Sequence, residues 1–94
     1  MTTIRLNDIL QQNSDYSVAG TKFYDSVKSD ISESKKVVVD MENVTSLPSI
    51  FLNFSFGKII DEYGTDAVKK LFTFVKITKV QAERLQNYIL KYQH

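Results

Sequence analysis

Two hydrophobic periods alternate along this chain. Val37-Val38-Val39, closed by Asp40 and Met41, is a short continuous β-branched run. That is the pattern of a central strand buried on both faces. From Ser17 to Ser34, Phe23, Val27 and Ile31 repeat every four residues among polar ones, with Tyr24 beside them. This predicts a helix with one apolar face, and Gly20 on that face suits close packing on the sheet. A second helical pattern runs from Pro48 to Tyr63 and stops at Gly64, a C-terminal cap. Thr65-Asp66 can cap one short turn through Lys70. Phe72 to Ile77 then reads as a strand. Thr78 and Gln81 form a capping box ahead of a last helix whose inner face is Ala82, Leu85, Ile89 and Tyr92. A weaker strand signal covers Thr3–Asn7, and Gln11–Tyr16 reads as a polar loop.

The order strand–helix–strand–helix–strand–helix predicts an α/β layer, a mixed and mostly parallel sheet with right-handed crossovers. Residues 1–94 make a single domain at this length. In such sheets, ligands and partners meet the carboxyl ends of the strands. Asp40, Asn43, Ser46 and Ser49 lie just beyond the Val37–Val39 strand, on that edge.

The helix from Pro48 sharpens the expectation. The residue before a proline leaves the α region, so Leu47 is the last extended residue and Pro48 takes the first helical position. At 100° per residue, Phe51, Leu52, Ser55, Phe56, Ile59, Ile60 and Tyr63 share the side that faces the sheet. Ile50 and Phe54, four apart and in contact, fall on the solvent side among Asn53, Gly57 and Asp61. An apolar pair there predicts a docking patch for another protein. The alternative is that the first helix or the chain terminus covers both side chains. Gly57 weakens the helix by about 1 kcal/mol against alanine, which implies close approach of another backbone, internal or intermolecular.

Composition removes several classes of function. A net charge of +1 with scattered basic residues gives no footprint for nucleic acid. No apolar run reaches the roughly 18–20 residues that span a bilayer, and MTTIRLNDIL shows no signal-peptide pattern. A cytoplasmic location is the default expectation. Without cysteine there is no disulfide, thiolate catalysis or Cys-based metal site. Ser46 and Ser49 lack an adjacent base, since the only histidine is His94 at the end of the chain. The carboxylates Asp61-Glu62 sit on a solvated helix face, and the three glycines form no phosphate loop. Asp40 reads as structural, accepting hydrogen bonds from the turn after its strand, rather than as a catalytic or metal carboxylate. Phe72 and Phe74 alternate as a base-stacking platform would, but with only Lys76 near them they read as core. No catalytic residue, cofactor or metal is expected.

The segment VVVDMENVTSLPSIFLNFSFGKII resembles the centre of the STAS domain of sulfate transporters and anti-sigma-factor antagonists. There a V-V-x-D-hydrophobic strand leads through a turn to an Asp-Ser-Ser-Gly signature and a helix. It is more similar to the small STAS-like family of uncharacterised bacterial proteins, whose helix opens on a Ser-Ser-Phe-Leu-Asn kind of run and continues to Phe-Gly-x-Leu. Here these read Pro48 to Asn53 and Phe56-Gly57-Lys58-Ile59. The order of elements follows the family from about Tyr16 to Tyr92, and the motif is specific over Val37–Gly57. The serine that partner kinases phosphorylate in antagonist-type domains aligns with Ile50, and the signature aspartate with Pro48, so that switch does not transfer. Ser49 keeps a hydroxyl one residue earlier.

The resemblance implies a non-enzymatic regulatory module with a partner of ATPase/kinase class, and leaves a homodimer open. The expected contact residues are Ser46, Ser49, Ile50, Asn53, Phe54 and Gly57. The alternative is a small-ligand or nucleotide sensor using the free N–H groups at the same helix start, where no Lys or Arg lies between Met41 and Gly57.

Overall fold

The computed structural model describes residues 2–92; His94 lies outside them. Three strands form one sheet in the order β1-β2-β3: β1 is Thr2–Arg5, β2 Val37–Asp40 and β3 Phe72–Val75. Both pairings are parallel, with Thr2, Val37 and Phe72 in one row and Ile4, Val39 and Phe74 two residues on. The expected mixed sheet is therefore wholly parallel. Helices α1 (Leu6–Gln12) and α2 (Tyr16–Ser32) carry the chain from β1 to β2. Helices α3 (Ser49–Phe54), α4 (Phe56–Tyr63) and α5 (Thr65–Leu71) carry it to β3, and α6 (Lys79–Tyr92) follows. No helix is long and apolar enough to cross a membrane among the described residues.

Several expectations were corrected by packing. The segment read as a loop begins inside α1, where Leu6, Ile9 and Leu10 have helical spacing and Leu6 is fully buried. The helix from Pro48 is interrupted at Ser55 (φ −110°, ψ −88°). The buried Ser55 hydroxyl donates to the Phe51 carbonyl at 2.8 Å, bonding back one turn and so satisfying itself within the core. Pro48 is the N-cap, extended at ψ 147°, and helix begins one residue later than expected. β3 ends at Val75 because Lys76 takes a left-handed φ of 55°. Gly64 does end α4, at φ 85° and ψ 166°, where a side chain would be strained.

Phe23 is the hub of the core. Its ring lies 5.1 Å from Phe56, 6.2 Å from Phe72 and 6.3 Å from Phe51, so one α2 residue joins α3, α4 and β3. Phe74 extends the cluster through Phe56, which makes both β3 phenylalanines core residues. The sheet is covered on one face only. The row Val37–Phe72 is buried, whereas Thr3 and Thr73 flanking Val38, and Arg5 and Val75 flanking Asp40, are exposed. β2 is thus central but not buried on both faces. Gly20 packs on α3 and not on the sheet: a Cβ there would stand 2.7 Å from the Phe51 carbonyl oxygen.

Candidate functional site

The carboxyl edge of the sheet begins with Asp40. Its Oδ1 accepts from the Glu42 N–H at 2.9 Å, closing the turn after β2. Lys76 reaches Glu42 at 3.4 Å and Asp40 at 4.0 Å, and Arg5 lies 3.7 Å from Glu42. These charges answer one another across three strand ends. No cluster of three metal-ligating side chains occurs among the described residues.

Residues 41–48 then cross to α3 under the control of α6. Gln81 donates to the Val44 carbonyl, while Arg84 donates to the Leu47 carbonyl from Nε (3.1 Å) and Nη2 (2.9 Å). The same Nη2 reaches the Ser49 hydroxyl at 3.0 Å. Further along, Tyr88 donates to Asn53 Oδ1 at 2.7 Å and Tyr92 to Asp61 Oδ2 at 3.0 Å. Gln81, Arg84, Tyr88 and Tyr92 recur every three to four residues, so one stripe of α6 holds the loop, α3 and α4 together. The reciprocal Thr78–Gln81 capping bonds, both 3.1 Å, start the helix in that orientation.

Of the expected inner face, Leu85 is buried and Ile89 and Tyr92 are half-buried against the core. Ala82 is exposed and Gln81 buried in its place, because the Gln81 amide has a carbonyl to reach. Burial pushes the Tyr88 phenol up to about 12, helped by Tyr92 and Asp61. Tyr92 is raised for the same first reason, with its bond to Asp61 adding to it. Both stay neutral donors across ordinary pH.

The residues expected to meet a partner divide accordingly. Ser46 is exposed on the loop, and Ser49 and Asn53 are exposed but already bonded to Arg84 and Tyr88. Gly57 is corrected: it is buried, and a Cβ there would stand 2.7 Å from the Tyr88 hydroxyl and 3.2 Å from that of Tyr92. The close approach is internal and made by side chains, so Gly57 has no surface to offer. Ile50 and Phe54 remain 48% and 38% exposed, although α2 passes close enough that a Cβ on Gly20 would meet Phe54 Cβ at 2.8 Å. Neighbouring Lys58 places its ammonium 5.5 Å from both the Phe54 and Tyr24 rings, and Tyr24 hydrogen-bonds Glu62.

Residues 19–91 match the family described as STAS-like domain of unknown function (DUF4325). The chain belongs to this STAS-like family. No curated protein and no solved structure matches it. Against the STAS-like pattern, Arg84 is the residue that sequence reasoning missed. It lies 35 positions from Ser49 and supplies the cation absent between Met41 and Gly57. The polar spacing of Gln81, Arg84 and Tyr88 was the available signal. Nothing local tells such a stripe from a solvated face.

Proposed function

We propose that this STAS-like domain is a non-enzymatic regulatory module that binds another protein through the α3 face at the carboxyl edge of its sheet. The observation that supports this most directly is the Ile50–Phe54 pair, apolar and exposed on a helix whose other side is core. Such a pair gains free energy by leaving water, at about 25 cal/mol per Å² of apolar area covered. Ser46, Ser49 and Asn53 supply a polar rim of the kind that surrounds a docking centre. Ser49 and Asn53 are held in orientation by Arg84 and Tyr88, so that part of the patch is preformed. Resemblance to antagonist STAS domains points to a partner of ATPase/kinase class.

The alternative, an anion or nucleotide sensor at the start of α3, draws on Arg84. That guanidinium is already bonded to Leu47 and Ser49, which weighs toward the docking reading.

The test is affinity capture with wild type, Ile50→Asp, Phe54→Asp and a control, Val80→Asp, altered at a residue 75% exposed on α6. Melting curves run alongside. The expected outcome is near-native melting of all three variants, with one captured protein lost only from the two α3 variants. Capture insensitive to both, or a large melting loss in both, would sink the proposal. A nucleotide-induced rise in melting temperature abolished by Arg84→Ala would favour the alternative.

A further inference from the structure

A second surface, sharing no residue with the α3 patch, lies beside β3. No strand lies beyond β3 among the described residues. The Val75 carbonyl accepts from the Met41 N–H at 2.9 Å, so Thr73 and Val75 turn their backbone groups toward β2. By strand alternation, Phe72 and Phe74 turn theirs outward. The Phe72 N–H is used by the Val68 carbonyl. The Phe72 carbonyl and both backbone groups of Phe74 face the open edge. Along that edge runs a groove of about 430 Å³ between β3, the end of α5 and the side of α6 that carries Leu85 and Ile89. Phe74, Ile77, Leu85, Ile89 and Leu90 make it mainly apolar, and Lys69 is the one charged residue in its lining. Lys69 makes no ion pair among the described residues.

We infer that this edge receives an extended segment of a partner protein, added as a fourth strand, with apolar side chains at alternate positions and a carboxylate that meets Lys69. The geometry asks for each part. An added strand satisfies the outward Phe74 groups, and every second side chain enters the groove on the covered face of the sheet. The remaining side chains stand beside Thr73 and Val75 in water. A second copy of this chain fits less well, since its own β3 is flanked by Lys69-Lys70 and Lys76 and would set lysine against lysine.

The probe is a labelled eight-residue peptide alternating valine and threonine with a glutamate at each end, compared with the same peptide ending in lysine. Fluorescence anisotropy should show saturable binding, tighter for the glutamate form by at least about threefold. Lys69→Glu should reverse that order, and Leu90→Glu, at a half-exposed position, should weaken binding by about tenfold or more with the circular dichroism spectrum unchanged. Exchange of the Phe74 amide should slow when peptide binds, and N-methylation of alternate peptide amides should remove binding. Ile50→Asp should bind the peptide as wild type does, which separates this surface from the α3 patch. Absence of saturable binding, no charge preference, or an unaltered Phe74 amide overturns the inference. So does a concentration-dependent dimer abolished by Leu90→Glu, which would give the edge to a second copy.

Discussion

Replacing Gly20 with alanine tests how closely α2 and α3 are fitted, and with them the placing of Phe54. The new methyl would stand 2.7 Å from the Phe51 carbonyl oxygen, 2.8 Å from Phe54 Cβ and 3.2 Å from the Phe54 carbonyl carbon. Two of these three are backbone atoms, so no side-chain rotation relieves the overlap. Ordinary contact begins at 3.4 Å. The helices must therefore separate by roughly 0.7 Å across a close-packed interface. Overpacking of this kind costs about 1–3 kcal/mol. Alanine's better helix propensity offsets about 1 kcal/mol of that. The expected net loss is up to about 2 kcal/mol, or up to about 15 °C in melting temperature for a domain of this size. Thermal and urea unfolding followed by circular dichroism measure it. Ser26→Ala, on the exposed side of the same helix, carries a smaller propensity gain without the overlap and should melt at or slightly above wild type. Gly20→Ala melting above wild type by the equivalent of about 1 kcal/mol would refute the close approach, because propensity alone would then decide the outcome.

Phe23→Ala removes the ring that joins α2 to α3, α4 and β3, and should cost about 3–5 kcal/mol. Set against the roughly 5–14 kcal/mol total expected for 94 residues, its urea midpoint should fall by about a fifth or more. An unchanged midpoint would contradict the assignment of Phe23 as hub. The Tyr88 phenol, pushed up to about 12 chiefly by burial, makes stability depend on alkaline pH. The folded chain holds this proton more tightly than the unfolded one, whose phenol has its ordinary value near 10. Its contribution is complete below pH 10 and is lost as pH rises toward 12. Urea midpoints from pH 9 to 12 should therefore fall more steeply for wild type than for Tyr88→Phe, and parallel curves would count against the buried phenol.

Much of the fold was legible because it is written in local periodicity. The Val37–Val39 run, the four-residue repeat of Phe23, Val27 and Ile31, and the inward set from Phe51 to Ile60 each report which side of an element leaves water. The same projection left Ile50 and Phe54 outside, where the structure has them. Local reading failed where a single backbone departure or a distant neighbour decided. Ser55 reads as one more helical residue, yet its backbone leaves the helical region at φ −110° and ψ −88°. Tyr63 projects inward yet is 40% exposed, as the last residue of α4, where the helix leaves the core at Gly64. Leu6, Ile9 and Leu10 were passed over because three apolar residues in one short helix barely exceed chance.

The sequence by itself determined the alternating α/β order, the STAS-like character of residues 37–57, the phenylalanine core and the absence of thiol chemistry. These depend on residue type and on spacing within one element. Only the tertiary structure decided that the sheet is bare on one face, that β3 is its open edge, and that Arg84 reaches Ser49. It also decided that the space beside Gly57 belongs to two tyrosines of the same chain. Each of these depends on which surfaces meet across 30 or more residues, and such meetings are set by the packing of the whole domain rather than by any pattern within a segment.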